Sequence, residues 1–316
     1  MMLNVGTYMN AKKPLKNLSV LFDEYGPVVR FVSPVGGDIV LINHPEHIQK
    51  VYAMEGSFPV RSALDSLEKY RSEHRNQIYG GLLTALVTSF FILSIQQMGK
   101  LITRCYGEEW HRQRETVVAP LHDSVNKHIS GINEVCENFT QKINNLRNHQ
   151  DEITNNLYKE IYKWSFDCMG LILFSKKFTM LNTEVVYSQC DMSWLYHSLE
   201  KATDAIIECE SGMQFWKLFA TPAWSSLVKY CDSLDNLIGK YVLEAEQAVS
   251  VQQKNMGPVS DELNNNSLVN AMLLGENKMS AEDIATIIMD MLLIGVNTTS
   301  PANSCANQSF TKKYNY

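Results

Sequence analysis

Residues 280–300 read SAEDIATIIMDMLLIGVNTTS, and this stretch decides the fold. Ser280 is a good N-cap, and Asp283 follows three residues later in a capping-box position. The run after it is apolar almost all round, which predicts a helix meant to be buried. Pro301 is expected to end that helix, because proline lacks the N–H that the ladder needs. Within it, Ile294 to Ser300 carries the features of interest. Gly295 removes a side chain where something could approach the backbone closely. Thr298 lies four residues after Ile294, so its hydroxyl can bond to that carbonyl and open the ladder. A distorted buried helix with a hydroxyl in the gap can hold a water and pass protons. The same pattern also suits an ordinary core helix with back-bonded hydroxyls.

Working outward, helical periodicity runs almost without a break from about Glu109. Ile153–Leu173 places Leu157, Ile161, Trp164, Cys168, Leu171 and Ile172 on one broad face. Ala202–Phe219 and Ser226–Val249 continue in the same way. Gln252–Asn266 is polar, holds Gly257 and Pro258, and reads as a loop. Near the amino terminus, residues 26–42 hold two β-rich runs, GPVVRFVS and DIVLIN. Pro34, Gly36 and Gly37 separate them, as suits a hairpin. His44-Pro45-Glu46 then opens a helix with proline in its first turn. The fold class is mainly α with a small N-terminal β sheet.

With 316 residues and 45% hydrophobic content, the chain can bury one large core or two medium ones. A net charge of −6 gives no basic excess for nucleic acid, so no nucleic-acid partner is expected. Seven scattered cysteines, without a CxxC pair, argue for a reducing compartment and against a disulfide framework or a structural zinc site. Residues 1–16 lack the apolar core of a secretory signal, and no amphipathic presequence is visible. The longest apolar stretch, ALVTSFFILSI at residues 85–95, falls short of the roughly 20 residues that span a bilayer.

A second chemical segment is GEEWHRQRE, residues 107–115. Trp110 and Arg114 are four apart and share a helix face. An arginine beside an indole N–H makes a clamp for a carboxylate. A half-buried tryptophan covered by an arginine stem is the blander alternative.

Together these segments resemble a family. Trp110-x-x-x-Arg114 looks like the C-helix motif of the cytochromes P450, and Ile294–Ser300 looks like their I-helix motif, A/G-G-x-D/E-T-T-S. Tyr25-Gly26-Pro27-Val28, Phe58-Pro59-Val60-Arg61, Leu67-Glu68-Lys69-Tyr70-Arg71 and Gly80-Gly81-Leu82-Leu83 follow in the right order and resemble the animal mitochondrial branch. The resemblance covers most of residues 20–300. It implies haem as cofactor, with Trp110 and Arg114 holding a propionate, Thr298 serving proton delivery and Gly295 making room for dioxygen. Asn297 stands where most members carry an acid; an amide cannot titrate, but it can orient a water through donor and acceptor alike. Ile294 replaces a small residue and would crowd the oxygen site. The implied activity is insertion of one oxygen atom into a lipophilic substrate, with a sterol or ecdysteroid among the candidates. The implied electron donor is of ferredoxin type. The implied location of the full-length relative is the matrix side of the mitochondrial inner membrane.

The sequence also departs from the family. No F-x-x-G-x-R-x-C-x-G run is present to supply the thiolate ligand, and no K-helix E-x-x-R follows the last helix. Residues 1–300 therefore read as the N-terminal part of a single P450 domain, an incomplete version of that fold truncated after the I helix. Residues 85–104 read as an insertion, and 301–316 as an unrelated disordered tail. In that reading the chain alone is inactive. The apolar face of Ile284–Ile294 would be partly uncovered, the small sheet would keep open edges, and solubility would be poor. A non-catalytic haem or lipid binder and a nonfunctional fragment are the alternative functions.

Overall fold

The computed structural model describes residues 14–31, 39–56, 64–75, 77, 82, 98–147, 157–181, 191–210, 214–254, 267–275 and 279–313. The FPVR segment, the apolar run at 85–95 and most of the loop expected at 252–266 lie outside the described residues. The chain divides into two units, Met1–Val60 and Arg61–Tyr316.

In the first unit, α1 (Pro14–Tyr25) ends at Gly26, whose φ of +89° is a backbone conformation that L side chains rarely adopt. β1 (Val28–Phe31) and β2 (Ile39–Ile42) then pair antiparallel with Val28 opposite Ile42 and Phe31 opposite Ile39, as the hairpin reading expects. α2 (Pro45–Met54) begins with proline at its first turn, where the missing N–H costs nothing.

The second unit is helical. α3 (Asp65–Lys69) passes into a single π turn, Tyr70–His74. α4 (Met98–Lys127) begins well before Glu109, so the last seven residues of the stretch read as an insertion are already part of the tryptophan helix. α5 (Ile129–Asn145) and α6 (Leu157–Phe174) follow. α7 (Asp191–Glu210) stops short of the expected Phe219, after which Ser211 and Gly212 are weak helix formers. A short 3-10 turn, Phe215–Lys217, buries Trp216 instead; its indole donates to the Cys209 carbonyl at 2.8 Å and stacks on Trp224. α8 (Pro222–Lys254), α9 (Leu268–Leu274) and α10 (Ala281–Lys313) complete the unit.

α10 starts as its sequence demands. The Ser280 hydroxyl accepts the Asp283 N–H at 3.1 Å and donates to the Asp283 carboxylate at 2.8 Å. Its end is a correction: the helix runs on through Pro301 to Lys313. A proline inside a helix costs about 3 kcal/mol, a finite penalty that this helix bears. A second correction concerns the apolar face. Ile284, Ile287, Ile288 and Leu292 are completely buried against α6 and α8, and in Ile284–Ile294 the exposed residue is Ile294. The chain itself covers this face as far as Leu293 and leaves Ile294 open.

α6 is buried on two sides. Phe166 and Leu173 join the main core with α10, whereas Leu171 meets Val135 and Leu181 in a smaller cluster with Trp164 and Cys168 at its margin. Of the face expected from periodicity, Trp164, Cys168 and Leu171 lie toward α5, whereas Ile172 packs on the main core. Among the described residues, no helix is long and apolar enough to cross a membrane.

Candidate functional site

Thr298 does what its spacing predicts. Its Oγ1 donates to the Ile294 carbonyl at 2.6 Å, and both residues are exposed. The hydroxyl keeps its two lone pairs for an incoming donor. Asn297 points elsewhere. Its Nδ2 donates to Thr203 Oγ1 on α7 at 2.9 Å and to the Leu293 carbonyl at 2.8 Å. Both amide hydrogens are thus committed, and the part of Asn297 that remains to orient a water is its oxygen.

Gly295 faces α6. A Cβ there would stand 2.7 Å from Met169 Sδ and 2.8 Å from its Cε, and Ser165 Oγ donates to the Gly295 carbonyl at 3.1 Å. The missing side chain lets α6 and α10 approach, with Met169 filling the space. Gly295→Ala should therefore destabilise the fold by about 1–3 kcal/mol through overpacking. The Met169→Ala background should recover part of that loss, read as a coupling in urea unfolding midpoints. Additive effects would remove this contact from the account.

Trp110 and Arg114 come together as expected, with the guanidinium carbon 5.9 Å from the indole centroid. Arg114 is exposed. The Trp110 N–H, however, donates to the Leu82 carbonyl at 3.3 Å. Leu82 carries the connection further, because its own N–H donates to Asp290 Oδ2 at 2.7 Å. Asp290 is fully buried and ion-paired with Arg71, which is 1% exposed; Arg71 Nη2 bonds Oδ1, and Nη1 reaches Oδ2 at 3.3 Å. One turn earlier, Gln77 reaches Thr286 at 3.2 Å and Glu282 at 3.3 Å. Gln77 and Leu82 thus lie along Glu282, Thr286 and Asp290. Ile294 and Thr298 continue that four-residue spacing and are left open.

This network joins the two segments singled out by sequence. It was missed as a whole, although one signal was present: Asp290 is the lone charge in an otherwise apolar run and needed a buried partner. Nothing in the sequence named Arg71 as that partner.

The sequence profile of the Cytochrome P450 family matches residues 87–306. The chain belongs to the cytochrome P450 family. It is 26% identical over 288 residues to a probable cytochrome P450 301a1, mitochondrial, of Drosophila melanogaster, covering 90% of this chain and 47% of the relative. Cytochrome P450 CYP12A2 of Musca domestica is 24% identical over 88% of this chain and 48% of its own length. The mouse protein named 1,25-dihydroxyvitamin D(3) 24-hydroxylase, mitochondrial, is 28% identical over 55% of this chain and 29% of its own length. The chain spans about half the length of the first two. These are mitochondrial-type P450s, as the FPVR and LEKYR segments implied, and the helical architecture with its small sheet is that of a partial P450 fold.

Proposed function

We propose that the protein is a haem-thiolate monooxygenase that inserts one oxygen atom of dioxygen into a lipophilic substrate, with a sterol or ecdysteroid among the candidates. The observation that carries this reading is the open stripe at Ile294 and Thr298, on a helix whose Ile284–Leu293 stretch is buried apart from a half-buried Met291, in a chain of this family. A relative named as a vitamin D hydroxylase supports hydroxylation of a lipophilic compound. Relatives named mitochondrial support a place on the matrix side of the inner membrane and a ferredoxin-type electron donor for the whole protein.

Haem suits the residues present. Arg114 offers an exposed guanidinium to a propionate, and Ile294 offers apolar surface to a flat macrocycle. Bound haem supplies the redox-active iron at which dioxygen is activated. The chain's own residues do the rest. Arg114 neutralises the propionate while the Trp110 ring holds the guanidinium in place by stacking. Thr298 would accept a hydrogen bond from one water and, by turning its O–H from the Ile294 carbonyl, donate to a second, taking up a proton from the first as it gives its own to the next. The Asn297 oxygen orients that water without titrating, and Gly295 acts through the α6 contact. Within these 316 residues no haem-thiolate loop of the family's pattern is present.

Arg114→Leu in the haem-loaded whole protein should weaken haem binding roughly tenfold or more, the loss of a charge-assisted hydrogen bond of about 1.5–3 kcal/mol. Trp110→Phe, which keeps a ring beneath the guanidinium, should cost less. Titration at the Soret band measures both, and unchanged affinity in Arg114→Leu would remove the propionate role.

A further inference from the structure

α5 and α6 pack side by side over the cluster of Val135, Leu171 and Leu181. Two contacts set their register. The rings of Phe139 and Trp164 stack with centroids 5.4 Å apart, and a Cβ on Gly131 would meet Leu171 Cδ1 at 3.2 Å. From Gly131 to Phe139 the chain runs forward along α5, whereas from Leu171 to Trp164 it runs backward along α6. The helices are therefore antiparallel. Three residues back from Phe139 is Cys136, and four residues on from Trp164 is Cys168, so the two thiols face each other between the fixed contacts.

Both are free and half-buried, hence within reach of a small reagent. A disulfide needs Cα atoms within about 7 Å, and helix axes ordinarily stand about 8–10 Å apart; the bare Gly131 lets the two helices close beside this pair. Cys209 and Cys231, by contrast, are buried in the main core. We propose that Cys136 and Cys168 form a dithiol modification site, which an external low-molecular-weight disulfide converts into a disulfide bond bridging α5 and α6.

The order of reaction follows from the environment. Burial, and then the neighbouring Cys136, push the Cys168 thiol up to about 12, so it holds little thiolate near neutral pH. Cys136 therefore attacks first. Its thiolate forms a bond to one sulfur of the external disulfide, whose S–S bond breaks and releases one thiol. Cys168 then attacks the Cys136 sulfur, breaks the mixed disulfide and releases the second thiol. Two protein thiols are oxidised by two electrons, the external disulfide is reduced to two thiols, and the cysteine protons end on those products. Cys168 adjoins Met169, so the bridge ties α5 to the part of α6 that meets Gly295. The proposal stands independently of the haem chemistry.

The test uses the full-length protein, reduced, freed of reductant, incubated with oxidised glutathione, alkylated and digested for mass spectrometry. The expected product is a linked peptide pair holding Cys136 and Cys168, abolished by dithiothreitol. In Cys168→Ser, Cys136 should accumulate as the glutathione mixed disulfide; in Cys136→Ser, Cys168 should stay reduced. Independent alkylation of both thiols in the parent, or a stable mixed disulfide at Cys136 there, overturns the proposal. Phenylarsine oxide on the unmutated protein gives a check free of folding effects. It should protect both thiols from alkylation together, and protection of one or neither counts against the pair.

Discussion

Asp290→Ala should lower the unfolding free energy by about 3–5 kcal/mol, the usual cost of removing one partner from a buried ion pair. Arg71, almost fully buried, would lose the carboxylate it pairs with, and the Leu82 N–H would lose its acceptor. That second loss reaches the tryptophan helix, because the Leu82 carbonyl holds the Trp110 indole. The indole should therefore become more mobile, seen as a shift of Trp110 fluorescence toward the solvent-exposed range. Arg71→Met with Asp290→Leu, which removes both charges and keeps the volume, should recover most of the stability but not the Leu82 bond. Guanidinium unfolding of the three proteins separates these contributions. If Asp290→Ala unfolds at the parental midpoint, the buried pair does not hold α10 to the π turn.

Asp167→Ala is expected to be nearly as damaging. Its two carboxylate oxygens accept the backbone N–H groups of Met180 and Leu181, at 2.9 and 3.1 Å. Both residues are 2% exposed, so water cannot replace the carboxylate. Each orphaned donor costs about 1–3 kcal/mol, which puts the total at roughly 2–6 kcal/mol. These bonds also fix the turn that lays Phe178 over Gly170, where a Cβ would come within 2.5 Å of the ring, and that turn includes two positive-φ residues, Ser175 and Thr179. Burial holds the Asp167 carboxyl above its ordinary range, against the opposing pull of the two N–H donors and Lys163. Between the ordinary carboxylate range and this raised value, the native state keeps a proton that the unfolded chain has lost. Stability should therefore fall as pH rises through that window. Asp167→Asn keeps one acceptor and cannot ionise, so it should be milder than alanine and should flatten the slope. A slope that persists unchanged in Asp167→Asn would assign it to another group, such as Asp235, which burial also raises.

The helices of this chain were legible where one strong signal stood alone. The Ser280 cap, the proline at the start of α2 and the paired strands all act within a few residues, and each was found as read. Thr298 belongs with them, because a hydroxyl four residues beyond a carbonyl needs only the helix itself to reach it. What escaped sequence reasoning depends on contacts between distant segments. Gly295 is a small residue for a reason, but only the neighbouring α6 shows that Met169 fills the gap. Asn297 could be placed on α10 but not aimed at Thr203, which lies on another helix. Pro301 illustrates the reverse error: a strong local preference was read as a stop, although its loss of one hydrogen bond is a finite cost. Asp290 announced a buried partner without naming it, since any of the chain's basic residues could have served.

The most direct test of the account is the absorption spectrum of these 316 residues with added haem, reduced and exposed to carbon monoxide. The proposed haem site has Arg114 at a propionate and Thr298 on the oxygen side, and these 316 residues hold no cysteine loop of the family's pattern. The expected result is a Soret band weakened by Arg114→Leu and without the red-shifted thiolate signature. A thiolate-type band would mean that one of the seven cysteines ligates iron, and it would contradict the account.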